Sequence, residues 1–147
     1  MGQDNKGSRI ALIVEADKEL RALAVALLEE TDLQVVEASS ADEALQYLRY
    51  NAGDVAFLFS DVKLPCVMDG LDLARMVRLK WPWIRTVLTS AAPLEEDLDK
   101  ALRQVRFMPK PWRALEVLME AEKAVKPNRY KTTASYMDTG AIGALRT

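Results

Sequence analysis

The stretch Val55-Ala56-Phe57-Leu58-Phe59-Ser60-Asp61 decides the fold. Its mainly apolar run reads as a strand buried on both faces, the kind found in the middle of a parallel sheet. The run ends on a carboxylate, and open α/β sheets bind ligands at the carboxyl ends of their strands. Working outward, three more strand-like segments end in reactive polar groups. Leu12-Ile13-Val14 runs into Glu15-Ala16-Asp17, Thr86-Val87-Leu88 into Thr89-Ser90, and Val105-Arg106-Phe107-Met108-Pro109 into Lys110-Pro111. Acids, hydroxyls and an ammonium would therefore meet on one edge of one sheet.

Between these strands lie helical periods. The first helix reads from about Lys18 to Glu30, with Leu20, Leu23, Ala24, Leu27 and Leu28 on one face and Asp17 as its N-cap. A short strand around Leu33 to Glu37 meets Ser40-Ala41-Asp42-Glu43, a capping box that opens a second helix. Gly53 and Asp54 turn the chain into the central strand. After a loop with Pro65 and Gly70, a helix from about Leu71 to Lys80 stops at Trp81-Pro82. A helix from about Leu94 to Gln104 and a last one from about Trp112 to Val125 complete five β-α units. The pattern predicts an α/β, doubly wound, five-stranded parallel sheet with short connections. Residues 1–8 read as a flexible N-terminus, 9–126 as the domain, and 127–147 as a mobile tail.

Composition bounds the function. The chain has 147 residues, half of them hydrophobic, with a formal net charge of −2. That is enough for one domain with a real core. There is no basic surplus to drive binding to nucleic acid or an anionic membrane. The sequence holds one cysteine and no histidine, so Cys66 reads as a loop residue, and zinc, Ser-His and Cys-His sites are excluded. No run of roughly 18 apolar residues occurs, and the polar N-terminus has no signal-peptide core. A cytoplasmic location is expected.

In order and spacing, Val14-Glu15-Ala16-Asp17, Ser60-Asp61-Val62-Lys63-Leu64-Pro65, Met68-Asp69-Gly70-Leu71, Leu88-Thr89-Ser90-Ala91 and Pro109-Lys110-Pro111-Trp112 resemble the receiver domain of two-component response regulators, similar to the single-domain chemotaxis regulators. The resemblance spans about Ser8 to Val125. It implies a flavodoxin-like strand order 2-1-3-4-5 with helices on both faces. It implies that Asp61 takes a phosphoryl group from a histidine kinase or phosphotransfer protein, with Lys110 and Thr89 stabilising the transferred group. It implies Mg²⁺ held by Asp61, the Lys63 backbone carbonyl and Glu15, a cis bond between Lys110 and Pro111, and a switch ring at Phe107. Output to a downstream protein is expected on the face of the predicted fourth helix, fifth strand and fifth helix, where Trp112 is a candidate partner anchor. The chain would turn over no separate substrate.

One departure stands out. The family places two adjacent carboxylates after the first strand, and the second is the more direct metal ligand; here the pair reads Glu15-Ala16. Asp17 cannot simply replace it, because successive side chains leave an extended segment on different faces. A weak metal site is expected, and with it the alternative of a degenerate receiver that binds partners without phosphorylation. A third reading, a small hydrolase with an Asp nucleophile, wants a carboxylate two residues after Asp61, where Lys63 stands. Of the other polar and bulky residues, Asp69 reads as a turn residue, Trp81 and Trp83 as packing around Pro82, and Met68 and Met76 as gap fillers.

Overall fold

The strand Val55–Asp61, β3, lies in the centre of a five-stranded parallel sheet. The computed structural model describes residues 9–93 and 100–125, so the N-terminal segment, the first part of the predicted fourth helix and the C-terminal tail lie outside the described residues. The other strands are β1 (Ile10–Val14), β2 (Gln34–Ala38), β4 (Arg85–Ser90) and β5 (Arg106–Pro109), in the order β2-β1-β3-β4-β5. The order 2-1-3-4-5 reverses direction at β1, so the carboxyl ends of β1 and β3 flank the point where ligands gather in such sheets.

The helices are α1 (Lys18–Leu28), α2 (Ala41–Asn51), α3 (Gly70–Lys80) and α4 (Ala114–Val125). Alternate residues of the strands feed three apolar clusters, the two largest being built on β1 and β3. Leu12, Val14 and Leu58 pack with Ala41, Leu45 and Leu48 of α2 and with Leu73 and Val77 of α3. Ile13, Phe57, Phe59 and Val87 pack with Ala24 and Leu28 of α1 and Val117 and Ala121 of α4. Because β3 is apolar on both faces it serves both layers, and its Val55–Ser60 segment is wholly buried. Burying a side chain such as Phe57 stabilises the fold by about 1.5–3 kcal/mol.

Helix starts follow the cap chemistry. The Asp17 carboxylate accepts from the Glu19 and Leu20 amides, and the Ser40 hydroxyl from the Glu43 amide. Asp69, expected as a plain turn residue, is the N-cap of α3 in a reciprocal box with Asp72. The predicted fourth helix needs correction where it is described. Lys100–Gln104 forms a 3-10 turn, not an α-helix. The tighter winding stacks residues three apart, so Leu102 and Val105 both reach the core beside Phe107, and the Val105 amide bonds to the Leu102 carbonyl at 3.1 Å.

Glu120 shows how the last helix is held. It falls on the buried face of α4 with Val117 and Ala121 and is only 2% exposed. Its carboxylate accepts from Arg85 Nε of β4 at 2.8 Å and Arg106 Nη1 of β5 at 3.0 Å. A buried carboxylate is tolerable there because cations on two strands meet it. No helix among the described residues is long and apolar enough to cross a membrane.

Candidate functional site

Parallel register builds the site. β3 pairs with β4 so that Asp61 lies beside Thr89, and β4 pairs with β5 so that Ser90 lies beside Pro109. The ladders continue past the strand ends: the Val62 amide bonds to the Thr89 carbonyl at 2.8 Å, and the Lys110 amide to the Ser90 carbonyl at 3.0 Å. On the other side the Glu15 amide bonds to the Ala38 carbonyl at 3.0 Å. Glu15, Asp61, Thr89 and Lys110 thus end up together although β1 and β5 are nearly a hundred residues apart.

The ammonium of Lys110 is the centre of this group. Its Nζ donates to Glu15 Oε1 at 3.0 Å and to Asp61 Oδ2 at 3.0 Å. The three side chains are largely buried, at 14%, 5% and 12% exposed in the order Lys110, Glu15, Asp61. Burial alone would lower the Lys110 pKa. The hydrogen bonds and charges of Glu15 and Asp61 outweigh it and hold the ammonium above its ordinary value. Two carboxylates against one ammonium leave the cluster one negative charge in excess.

The remaining contacts orient these groups. Glu15 Oε2 accepts from the Asp17 amide at 3.0 Å, and Arg21 Nη1 donates to the Glu15 carbonyl at 2.8 Å. Asp61 Oδ1 accepts from the Lys63 amide at 3.3 Å. The Lys110-Pro111 bond is cis. Phe107 is half-buried against Leu88, Leu102 and Val105, on the far side of the sheet from the Asp61 carboxylate. The structure therefore brings together Asp61, Glu15, Thr89 and Lys110, with the Lys63 backbone beside them.

Hard oxygen donors are what Mg²⁺ wants, and Glu15 and Asp61 supply two carboxylates. A full site is not formed by the side chains present. Ala16 offers no oxygen, and Asp17 Oδ1 is committed to the Glu19 and Leu20 amides at 2.9 and 3.0 Å. Among the described residues no group of three or more metal-binding side chains comes together. The Lys110 ammonium already bridges the two carboxylates that remain.

Two features were not read from the sequence. Gly70, the first residue of α3, packs so closely on the end of β3 that a Cβ there would overlap the Asp61 carbonyl oxygen and lie 2.8 Å from Val62 Cα. The signal was present in Asp69-Gly70, where a glycine opens a helix that does not need its flexibility. Trp112, a candidate partner anchor, turns its ring onto Phe59, edge to face at 5.1 Å between centroids. It is half-buried, and its indole nitrogen is buried without a hydrogen-bond partner. Sequence carries no sign of that.

Comparisons with known proteins agree with this geometry. The family described as the response regulator receiver domain matches residues 11–122. A sensor kinase CckA of Brucella abortus (strain 2308) is 33% identical over 112 residues, 74% of this chain and 12% of that protein, so the chain spans about one eighth of its relative's length. The signal receiver domain of an HD domain-containing protein from Pseudomonas fluorescens Pf-5 superposes with a TM-score of 0.70 at 25% identity, covering 84% of this chain and 98% of that one. The receiver domain of the hybrid histidine kinase CckA gives 0.65 at 27% identity, covering 79% and 98%. On the strength of the family match and of a sheet edge that carries the acidic, hydroxyl and lysine positions in order, the chain belongs to the response regulator receiver domains of two-component signalling.

Proposed function

We propose that this chain is a phosphoacceptor, taking a phosphoryl group on Asp61 from a histidine kinase or phosphotransfer protein and passing the signal on by protein–protein interaction. The observation that carries this reading is the Lys110 ammonium, 3.0 Å from Asp61 Oδ2 at the end of the central strand. An Asp61 oxygen attacks phosphorus, the bond from phosphorus to the donor's imidazole nitrogen breaks, and the imidazole leaves. Transfer spreads negative charge over the equatorial oxygens, and a positioned ammonium and the Thr89 hydroxyl meet it. Lys110 need only turn from the carboxylates to the incoming oxygens.

Receiver domains generally bind Mg²⁺. In this reading Glu15, Asp61 and the Lys63 carbonyl would hold the ion weakly, and it would supply positive charge against the phosphoryl oxygens. Phe107 acts as the switch, its ring moving within the apolar layer beside Leu88 and Leu102, so its states differ by burial and not by a hydrogen bond. The protein turns over no separate substrate and works in the cytoplasm. The downstream partner is a protein that reads the face around β5 and α4.

A second reading rests on one observation. Ala16 supplies no oxygen and Asp17 is committed to capping α1, which favours a receiver that binds partners without phosphorylation. Incubation of the chain with Mg²⁺ and acetyl phosphate separates the two. The first reading expects one base-labile phosphoryl group by intact mass, absent in Asp61→Asn. No mass increase in the native chain supports the second.

A further inference from the structure

The outer face of α3 carries an apolar stripe that the acidic site leaves unused. Val67, just before the helix, is fully exposed, and Leu79, near its end, is 76% exposed. Met68 and Met76 belong to the same stripe and are partly buried against the core. Single exposed apolar side chains are ordinary, but these four line one surface groove together with Asp72 and Lys80. A contiguous patch of this kind marks a surface that a partner covers. The chain also enters the stripe through an uncommon backbone: Cys66 has a φ of 75°, a left-handed conformation that side-chain-bearing residues rarely adopt, and Val67 follows it.

The charges on the stripe single out the partner. Asp72 and Lys80 stand one helical turn on either side of Met76, about 6 Å along the axis each way. A two-fold axis through Met76 lays a second copy of α3 antiparallel to the first, and Asp72 of each chain then meets Lys80 of the other. The same operation sets Met76 on its copy and brings Val67 and Met68 of one chain to the Leu79 end of the other. Parallel helices would instead set Asp72 on Asp72 and Lys80 on Lys80. Self-complementarity of the antiparallel kind is what an isologous interface requires.

The local contacts of these charges are compatible with that pairing. Asp72, 48% exposed, accepts from the Asp69 amide and from Arg75 Nη1, which fills two of the roughly four acceptor positions of a carboxylate. Lys80 holds its ammonium 5.9 Å from the centre of the Trp81 ring, a contact made through its charge and not through a hydrogen bond. Arg75, one residue from the axis, is turned back onto Asp72 at 3.3 Å and so is not set against its own copy. We infer that α3 is a homodimerisation surface, on which two copies of the chain pack antiparallel through Val67, Met68, Met76 and Leu79 and exchange two Asp72–Lys80 ion pairs. The pliable methionines at its centre suit a seam between two identical surfaces. The inference stands apart from the phosphoacceptor reading, since none of these side chains belongs to the acidic site.

The test is sedimentation of the full chain over a concentration series reaching about 1 mM, the weak end of specific association, in reductant so that the exposed Cys66 forms no cross-link. The mass should rise from monomer toward dimer. Leu79→Lys, which puts a charge into the stripe, should keep the chain monomeric. Lys80→Glu turns two attractions into two repulsions and should raise the dissociation constant roughly tenfold or more, and Asp72→Lys should do the same. An equimolar mixture of the Lys80→Glu and Asp72→Lys chains should dimerise again, because each contact once more joins opposite charges. Leu115→Lys is the control: its site is 67% exposed on α4, across the sheet from α3, and it should leave association unchanged. Melting curves check that each variant is folded. Asp72→Lys gives up the reciprocal cap with Asp69, and if it does not fold, Leu79→Lys and Lys80→Glu decide. A native chain that stays monomeric throughout, a dimer that survives both of those variants, or a dimer lost in Leu115→Lys overturns the inference. Folded single variants whose mixture stays monomeric overturn it as well.

Discussion

Replacing Gly70 by alanine tests whether the close seating of α3 on the end of β3 fixes the position of Asp61. The added methyl would overlap the Asp61 carbonyl oxygen and lie 2.8 Å from Val62 Cα and 2.9 Å from the Asp61 carbonyl carbon. Carbon pairs prefer about 3.5–4.0 Å, and all three neighbours are backbone atoms that cannot rotate away. Relief requires α3 to back off, which stretches the 2.8 Å bond from the Gly70 amide to the Val62 carbonyl. Overpacking costs about 1–3 kcal/mol, and a backbone bond weakened in a buried place adds about 1–3 kcal/mol. Alanine recovers up to about 1 kcal/mol through its better helix propensity. A net loss of about 3 kcal/mol follows, or on the order of 10 °C in Tm. Gly53→Ala is the matched control, since nothing lies within 4 Å of its added methyl; it should be neutral or stabilising by up to about 1 kcal/mol. Urea and thermal unfolding of both variants decide the matter. A Gly70→Ala protein within about 0.5 kcal/mol of the native chain, the range of surface changes, would show that the contact is easily relaxed and does not position Asp61.

Three further outcomes are expected. Ala16→Asp supplies the oxygen the metal site lacks but adds repulsion toward Glu15 and Asp61, on the order of 3 kcal/mol at about 5 Å and an effective dielectric near 20 before Lys110 offsets part of it. The variant should melt lower than the native chain in EDTA and gain more from Mg²⁺; identical responses would mean that position 16 does not face the metal. The pKa of Lys110 is raised by its two carboxylates against the opposing effect of burial, so its contribution is complete below the ordinary lysine value of about 10.4 and is lost as pH climbs through the raised one. Urea midpoints should therefore fall in that alkaline window by more in the native chain than in Lys110→Met, which at neutral pH should be the less stable of the two. Glu120→Gln leaves the Arg85 and Arg106 guanidinium groups facing a neutral amide; because these are 37% and 43% exposed, solvent softens the loss to about 1–2 kcal/mol, read from urea unfolding.

The fold was legible because each local pattern agreed with the global one. Val55–Ser60 is apolar on both faces and proved to be central, and Ser40 and Asp17 start their helices as their cap chemistry requires. The site was legible at the level of membership, since strand ends in a parallel sheet share one edge and the register brings Asp61 to Thr89. What stayed hidden depends on three-dimensional detail. Periodicity around Leu98, Ala101 and Leu102 fits a helix, yet the described part is a 3-10 turn, because Leu102 and Val105 must both reach the core just before β5 begins. The Lys110 bridge to Glu15 spans 95 positions, and no local pattern announces it. Glu120 gave a partial sign by falling three residues after Val117 on the inner face of α4, but its arginine partners come from two other elements.

The claim at the centre of this account is that Asp61 accepts the phosphoryl group. Peptide mapping of the acetyl phosphate-treated chain after reductive trapping with borohydride tests it most directly, because reduction converts an aspartyl phosphate into a stable, localisable homoserine. The account predicts the modification at Asp61 and nowhere else, with none in Asp61→Asn. Trapped product at another carboxylate, or an unmodified Asp61 in a chain that has gained phosphoryl mass, would contradict it.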